Sequence, residues 1–158
     1  KHLDLGDEAA ALSEARDLSS HPNREVRMEA LRAMWWIGAA AAFDIVSFIG
    51  DSDPEIDQLA DQILWEAIDE MEQPELKIKL LENMAVSSSV ELRVKTLDML
   101  IFLPEQLSFP VISSMLGDSS EDVSSLACDH LEFLSEKTFE SEAEAMNWFE
   151  SHKELLDQ

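Results

Sequence analysis

The sequence predicts an all-α fold, a stack of about four helical hairpins behind a leading helix, and three observations predict it. First, one short phrase is written four times. It opens on an acidic or small polar turn and sets an aliphatic anchor. A small or apolar residue follows four positions later, then an apolar pair on the next turn. The anchors are Val26, Ile56, Leu92 and Val123, spaced 30, 36 and 31 residues apart. A period in that range is the mark of stacked helix pairs, whose cores form between neighbours. Second, apolar residues recur at steps of three and one rather than two. Ile56, Leu59, Ala60, Ile63, Leu64, Ala67, Ile68 and Met71 make one face of a single helix, with Gln58, Asp61, Gln62, Asp69 and Glu72 opposite. Third, four glycines, five prolines and no tyrosine fall short of the turn density of a β-sandwich.

Each element follows from its caps and breakers. A leading helix over 7–18 reads as the second half of an incomplete repeat. Four pairs follow: 23–37 with 39–49, 54–71 with 75–86, 90–103 with 105–116, and 121–136 with 142–156. Pro54 sits just inside a helix start, where its missing N–H costs nothing. Gly38, Gly50 and Gly117 fall where helices stop. Ser141 and Glu144 have the spacing of a capping box. Pro104 separates two helices, and Pro110 lies inside one and is expected to kink it. The loops are short and no linker divides the chain, so residues 1–158 are expected to form one domain. Its repeats run approximately over 22–50, 51–86, 87–116 and 118–157, closed by a last helix with Trp148 and Phe149 on the core.

Val26-Arg27, Ala30, Ala33-Met34 and Ile37-Gly38 together resemble the opening phrase of a HEAT repeat almost position for position. Asp51-Ser52-Asp53-Pro54-Glu55-Ile56 is similar to the turn that opens the next one. The third copy opens instead on Ser87-Ser88-Ser89, and the fourth places His130 where the family prefers a small residue. The resemblance covers roughly 22–134. It implies a right-handed α-solenoid with first helices convex and second helices concave, serving as a scaffold for protein partners. A minority of HEAT-like relatives handle chromophores or damaged DNA, so a chromophore-lyase type of protein is the alternative function it implies.

Charge narrows the partners. There are 34 Asp and Glu against 11 Lys and Arg, a net charge of −23. A polyanion repels phosphate backbones and anionic membrane surfaces alike. Another protein, favoured if basic, or a plain solubility role fits this balance better. No apolar run approaches the roughly 20 residues needed to cross a bilayer; the longest, Met34 to Phe43, is broken by Gly38. Cys128 is the only cysteine, so an intramolecular disulfide and a cysteine-based zinc site are both excluded. The chain begins at Lys1 rather than methionine, the expectation for a mature, exported or envelope-associated fragment.

The chemistry-bearing residues point away from catalysis. Asp51, Asp53, Glu55 and Asp57 suggest a calcium loop, but an EF-hand needs glycine and glutamate where Ile56 and Gln62 stand. Acid at a helix N-terminus is explained by capping and by the helix dipole. The four histidines, His2, His21, His130 and His152, share no ligand spacing. His130 reads as a core histidine with a hydrogen-bond partner, and Cys128 as a spectator among carboxylates. No catalytic residue, metal site or cofactor site is expected.

The tryptophans are more telling. Trp35 and Trp65 each stand nine residues after an anchor, about 150° from the middle of the apolar face. Met28 and Val94 are expected on the same side. Such a row either packs on a neighbouring repeat or forms an exposed interaction surface. Between Asp51 and Glu75 the chain holds ten carboxylates and no cation. The run is either a solvated face or, around Trp65, a negative rim for a basic partner. Trp35, Trp65, Asp61, Asp69 and Glu72 are the expected partner-binding residues. The concave side is expected to be lined by Asp44, Ser47, Lys79, Glu82, Asn83, Ser113 and Asn147, a mixture without focused chemistry.

Overall fold

A computed structural model of the chain describes residues 5–154. All regular structure among them is helical. In order come α1 (Leu5–Leu18), α2 (Arg24–Ile37), a 3-10 turn (Gly38–Ala41), α3 (Ala42–Ile45) and a second 3-10 turn (Val46–Phe48). Then follow α4 (Pro54–Glu70), α5 (Pro74–Ala85), α6 (Val90–Leu100), α7 (Glu105–Ser114), α8 (Glu121–Ser135) and α9 (Glu142–His152). The expected helical ends at 155–156, and the residues Lys1 and His2, lie outside the described residues.

The contacts divide the chain into two units, Lys1–Gln73 and Pro74–Gln158, a division that falls inside the second expected repeat. In the first unit α1 lies along α2, α2 packs on α4, and the Gly38–Phe48 turns pack on α4 as well. Its core holds Leu31, Met34, Ile45, Phe48, Ile56, Ile63 and Leu64, all at or below 1% exposure. In the second unit α6 packs on α8, while α7 sits between α5 and α9. There Phe109 is fully enclosed, stacked on Phe149 at 5.1 Å and on Trp148 at 5.4 Å, with Phe139 edge-on at 6.1 Å.

Local chemistry explains where the helices begin. The Asn23 side chain accepts the Glu25 N–H and starts α2. Asp53 accepts the N–H groups of Glu55 and Ile56 at 3.0 and 3.3 Å and starts α4, with Pro54 in the first position. Ser141 accepts the Glu144 N–H at 3.3 Å, while the Glu144 carboxylate reaches back to the N–H of Glu140 at 2.9 Å. Each contact answers one of the donors a helix start leaves unpaired.

Two arginines tie helix starts to the turns that open the following pairs. Arg27, one residue after the Val26 anchor, grips Asp51 through two bonds of 2.7 and 2.8 Å and donates a third to the His21 carbonyl at 3.0 Å. Arg93, one residue after Leu92, grips Asp118 at 2.7 and 2.8 Å and donates to the Ser87 carbonyl at 2.8 Å. The planar guanidinium fork matches a carboxylate in this bidentate way, as an ammonium cannot.

Three expectations are corrected. The helix expected over 39–49 is broken into 3-10 and α turns, although Gly38-Ala39-Ala40-Ala41-Ala42 is mostly good helix-forming sequence. Ala41, Ala42, Ile45 and Phe48 are all fully buried. Arg16 of α1 holds Asp44 at 2.5 and 2.9 Å, and the Ser47 hydroxyl donates to the Asp44 carbonyl at 2.7 Å. Docking and side-chain competition for the backbone outweigh alanine's propensity here. Met28 is 2% exposed rather than part of an outer row. Ser113, expected to line a groove, is buried and donates to the Phe109 carbonyl.

Helical turns also continue from Arg24 to Phe48, 25 residues that hold an 18-residue window of mean hydropathy 1.2, so this stretch is long and apolar enough by length and composition to cross a membrane. The expectation of no such run counted unbroken apolar residues and missed it. Gly38 interrupts the stretch, with φ 73° and ψ −141°, a conformation that side-chain-bearing residues rarely adopt. The uninterrupted α2 spans 14 residues, about 21 Å, against a hydrocarbon core of about 30 Å.

Candidate functional site

The last turn of α2 meets the C-terminal half of α4. Gly38 closes α2, donating its N–H to the carbonyls of Met34 and Trp35. A β-carbon at Gly38 would stand 3.3 Å from Glu70 Oε2, so the missing side chain leaves room for the Glu70 carboxylate. Ile63 and Ala67 of α4 are buried at this crossing. Trp35 and Trp36 are left on the outside, 47% and 86% exposed, with ring centroids 6.5 Å apart and planes tilted by 40°.

Trp35 is oriented rather than loose. Its indole Nε1–H donates to Glu66 Oε2 at 3.1 Å, and Gln62 donates to the other oxygen, Oε1, at 2.9 Å. The Glu66 carboxylate is therefore fixed through both oxygens. Two adjoining hollows flank the indole. One of about 250 Å³ is lined by Trp35 and Trp36. A notch of about 40 Å³ is lined by Trp35, Gly38, Ile63, Glu66, Ala67 and Glu70. The Trp35 indole beside two carboxylates, with Trp36 next to it, forms an environment for a cation. Ring quadrupole and formal charge then attract it together, the ring part alone contributing about 0.5–2 kcal/mol.

The arginines elsewhere are already engaged. Each of the five arginines is bound to carboxylate: Arg16 to Asp44, Arg24 to Glu25, Asp53 and Glu55, Arg27 to Asp51, Arg32 to Glu29 and Arg93 to Asp118. The acid run from Asp51 accordingly splits in two. Asp51, Asp53 and Glu55 hold arginines, and Asp57 accepts the Gly50 N–H at 2.7 Å. Among the described residues, Glu66 and Glu70 carry no ion pair. Arg27 and Arg93 hold the carboxyls of Asp51 and Asp118 below their usual range, and Arg24 does the same to Asp53; partial burial opposes the shift in all three.

The expected partner-binding residues divide between two sides of α4. Trp35 lies against the stripe of Gln62, Glu66 and Glu70. Asp61, Trp65 and Asp69 follow one another at four-residue steps on a stripe about 100° away. Trp65 and Asp61 are half-buried and Asp69 is exposed; Glu72 is exposed but lies beyond the helix end. Trp36, Glu66 and Glu70 were missed from the sequence. Trp36 was hidden by its apolar neighbours, and Glu66 and Glu70 stand on Trp35's side of the helix, not Trp65's.

His130 departs from its expectation. Its Nδ1 is buried without a hydrogen-bond partner, and burial pushes its pKa below the usual 6.5, against the pull of Asp98 and Asp129. Cys128 is half-buried, its Sγ 3.9 Å from the Phe139 carbonyl oxygen. Among the described residues no three His, Cys, Asp or Glu side chains converge as metal ligands do. No protein-family model and no curated protein matches the chain.

Proposed function

We propose that this chain is a HEAT-like α-solenoid acting as a non-enzymatic scaffold, and that the face formed by Trp35, Trp36, Glu66 and Glu70 takes a basic segment of another protein. The four-copy phrase supports the solenoid reading. One observation carries the functional reading: the exposed Trp35 indole, with Trp36 next to it, stands beside carboxylates without ion pairs, in a protein whose arginines are all engaged. An arginine or lysine side chain from a partner supplies the missing charge. Arginine suits it better, since its guanidinium stacks on an indole while donating to Glu70. The charge of −23 brings such a partner in quickly and keeps nucleic acid away. Asp61, Trp65, Asp69 and Glu72 extend the negative rim around the neighbouring side of α4.

Isothermal titration calorimetry against a short arginine-rich peptide tests this. Binding is expected to weaken at least about fivefold in Trp35→Ala and Trp36→Ala, which leave net charge unchanged. Reversing two charges of the other unit, Glu121→Lys with Asp122→Lys, is expected to matter much less. If affinity follows total charge and ignores both tryptophans, the site is not where binding occurs.

A further inference from the structure

The first repeat is left open where the others are closed. Ile56 and Val123 are fully buried and Leu92 is 5% exposed, but the corresponding anchor Val26 remains half-buried at the surface. It stands in a groove of about 450 Å³ between α1 and α2. Ala11, Ala15 and Leu18 of α1 form one wall, at steps of four and three; Val26, Ala30 and Ala33 of α2 form the other, at the same steps. These are the rows along which one helix receives another. Four of the six positions are alanine, so the groove has room for the larger side chains of an incoming helix. From Ala11 to Leu18 it runs about 10 Å, or two helical turns.

The rim selects the occupant. Glu14, Glu25 and Glu29 stand along the groove. Glu25 shares Arg24 with two other carboxylates and Glu29 pairs with Arg32, while Glu14 has no ion pair among the described residues. A second copy of this chain would bring 23 further negative charges against that rim. We infer that the α1–α2 groove is a docking site for an amphipathic helix of a partner protein, its apolar stripe on Val26, Ala30 and Ala33 and its flanking lysines or arginines on Glu14, Glu25 and Glu29. Helix-in-groove recognition reads such anchors at i, i+4 and i+7. This groove is separate from the Trp35 notch, and the inference stands or falls apart from the function proposed above.

The probe is a fluorescently labelled peptide of about four turns, with leucines at helical spacing on one face and lysines on the other, followed by anisotropy. Saturable binding is expected, with about tenfold loss in the double variant Glu14→Lys, Glu29→Lys. Ala33→Lys, which places a charge in the groove, is expected to weaken binding similarly while circular dichroism shows an unchanged fold. A peptide of the same composition in scrambled order, lacking the apolar stripe, is expected to bind at least tenfold more weakly. The inference is overturned if the scrambled peptide binds equally well, if neither Ala33→Lys nor the Glu14→Lys, Glu29→Lys pair weakens binding, or if sedimentation shows a dimer that Ala33→Lys dissolves.

Discussion

Arg27 and Arg93 show how much one side chain organises here. Each guanidinium satisfies both oxygens of an aspartate and a backbone carbonyl, and both ion pairs are largely shielded from solvent. Removing the arginine leaves an uncompensated carboxylate behind, whereas Arg32 and Glu29 are exposed and simply return to water. Urea denaturation is accordingly expected to show a several-fold larger loss of stability in Arg93→Met than in Arg32→Met. Equal losses would mean that the clamp adds nothing. These clamps were not legible in the sequence, because the partners stand 24 and 25 residues apart and carboxylates are abundant.

His130 gives the residue scale a pH signature. Its folded pKa lies below the unfolded value near 6.5, so the unfolded chain binds the extra proton first. The stability associated with keeping it neutral is complete above that value and is lost as pH falls through it. Asp51, Asp53 and Asp118 act further down: their depressed pKa values stabilise the fold above about pH 4, and that stabilisation disappears as pH falls through the folded values. Thermal melts from pH 7.5 to 5.5 are expected to fall less steeply in His130→Gln than in the unaltered protein. Parallel slopes would show that the histidine does not titrate with unfolding.

At the scale of elements, Gly38 joins fold and site. Its backbone conformation ends α2, and its missing side chain admits Glu70 to the notch beside Trp35. Gly38→Ala is expected to cost about 1–3 kcal/mol in denaturant unfolding and to weaken basic-peptide binding by displacing Glu70. Unchanged stability would contradict the conformation assigned to this residue. Helix starts were legible where a single side chain decides them, as at Asn23, Asp53 and Ser141. The 39–49 segment was not, because its shape comes from docking on α4 and from the Arg16–Asp44 pair, neither of which leaves a local pattern. The 150° offset of Trp35 and Trp65 left packing and exposure both open: Trp35 is exposed and Trp65 half-buried, while Met28, placed on the same side, is buried.

For the molecule as a whole, charge is the dominant condition. At −23 the folded chain repels itself, and salt screens that repulsion over a Debye length of about 8–10 Å. The shielded Arg27–Asp51 and Arg93–Asp118 pairs are screened much less. Moderate salt is therefore expected to raise the melting temperature, even as it weakens binding of a basic partner. A melting temperature that falls between low and physiological ionic strength would show that surface ion pairs outweigh self-repulsion.

The indole N–H signals of the four tryptophans offer the most direct view of the proposed face. In heteronuclear NMR, titration with an arginine-rich peptide is expected to shift the Trp35 and Trp36 signals saturably, with Trp148 unmoved, and the effect is expected to vanish at high salt. Shifts spread evenly over the acidic surface, with both indoles silent, would contradict the claim that a basic partner docks beside Glu66 and Glu70.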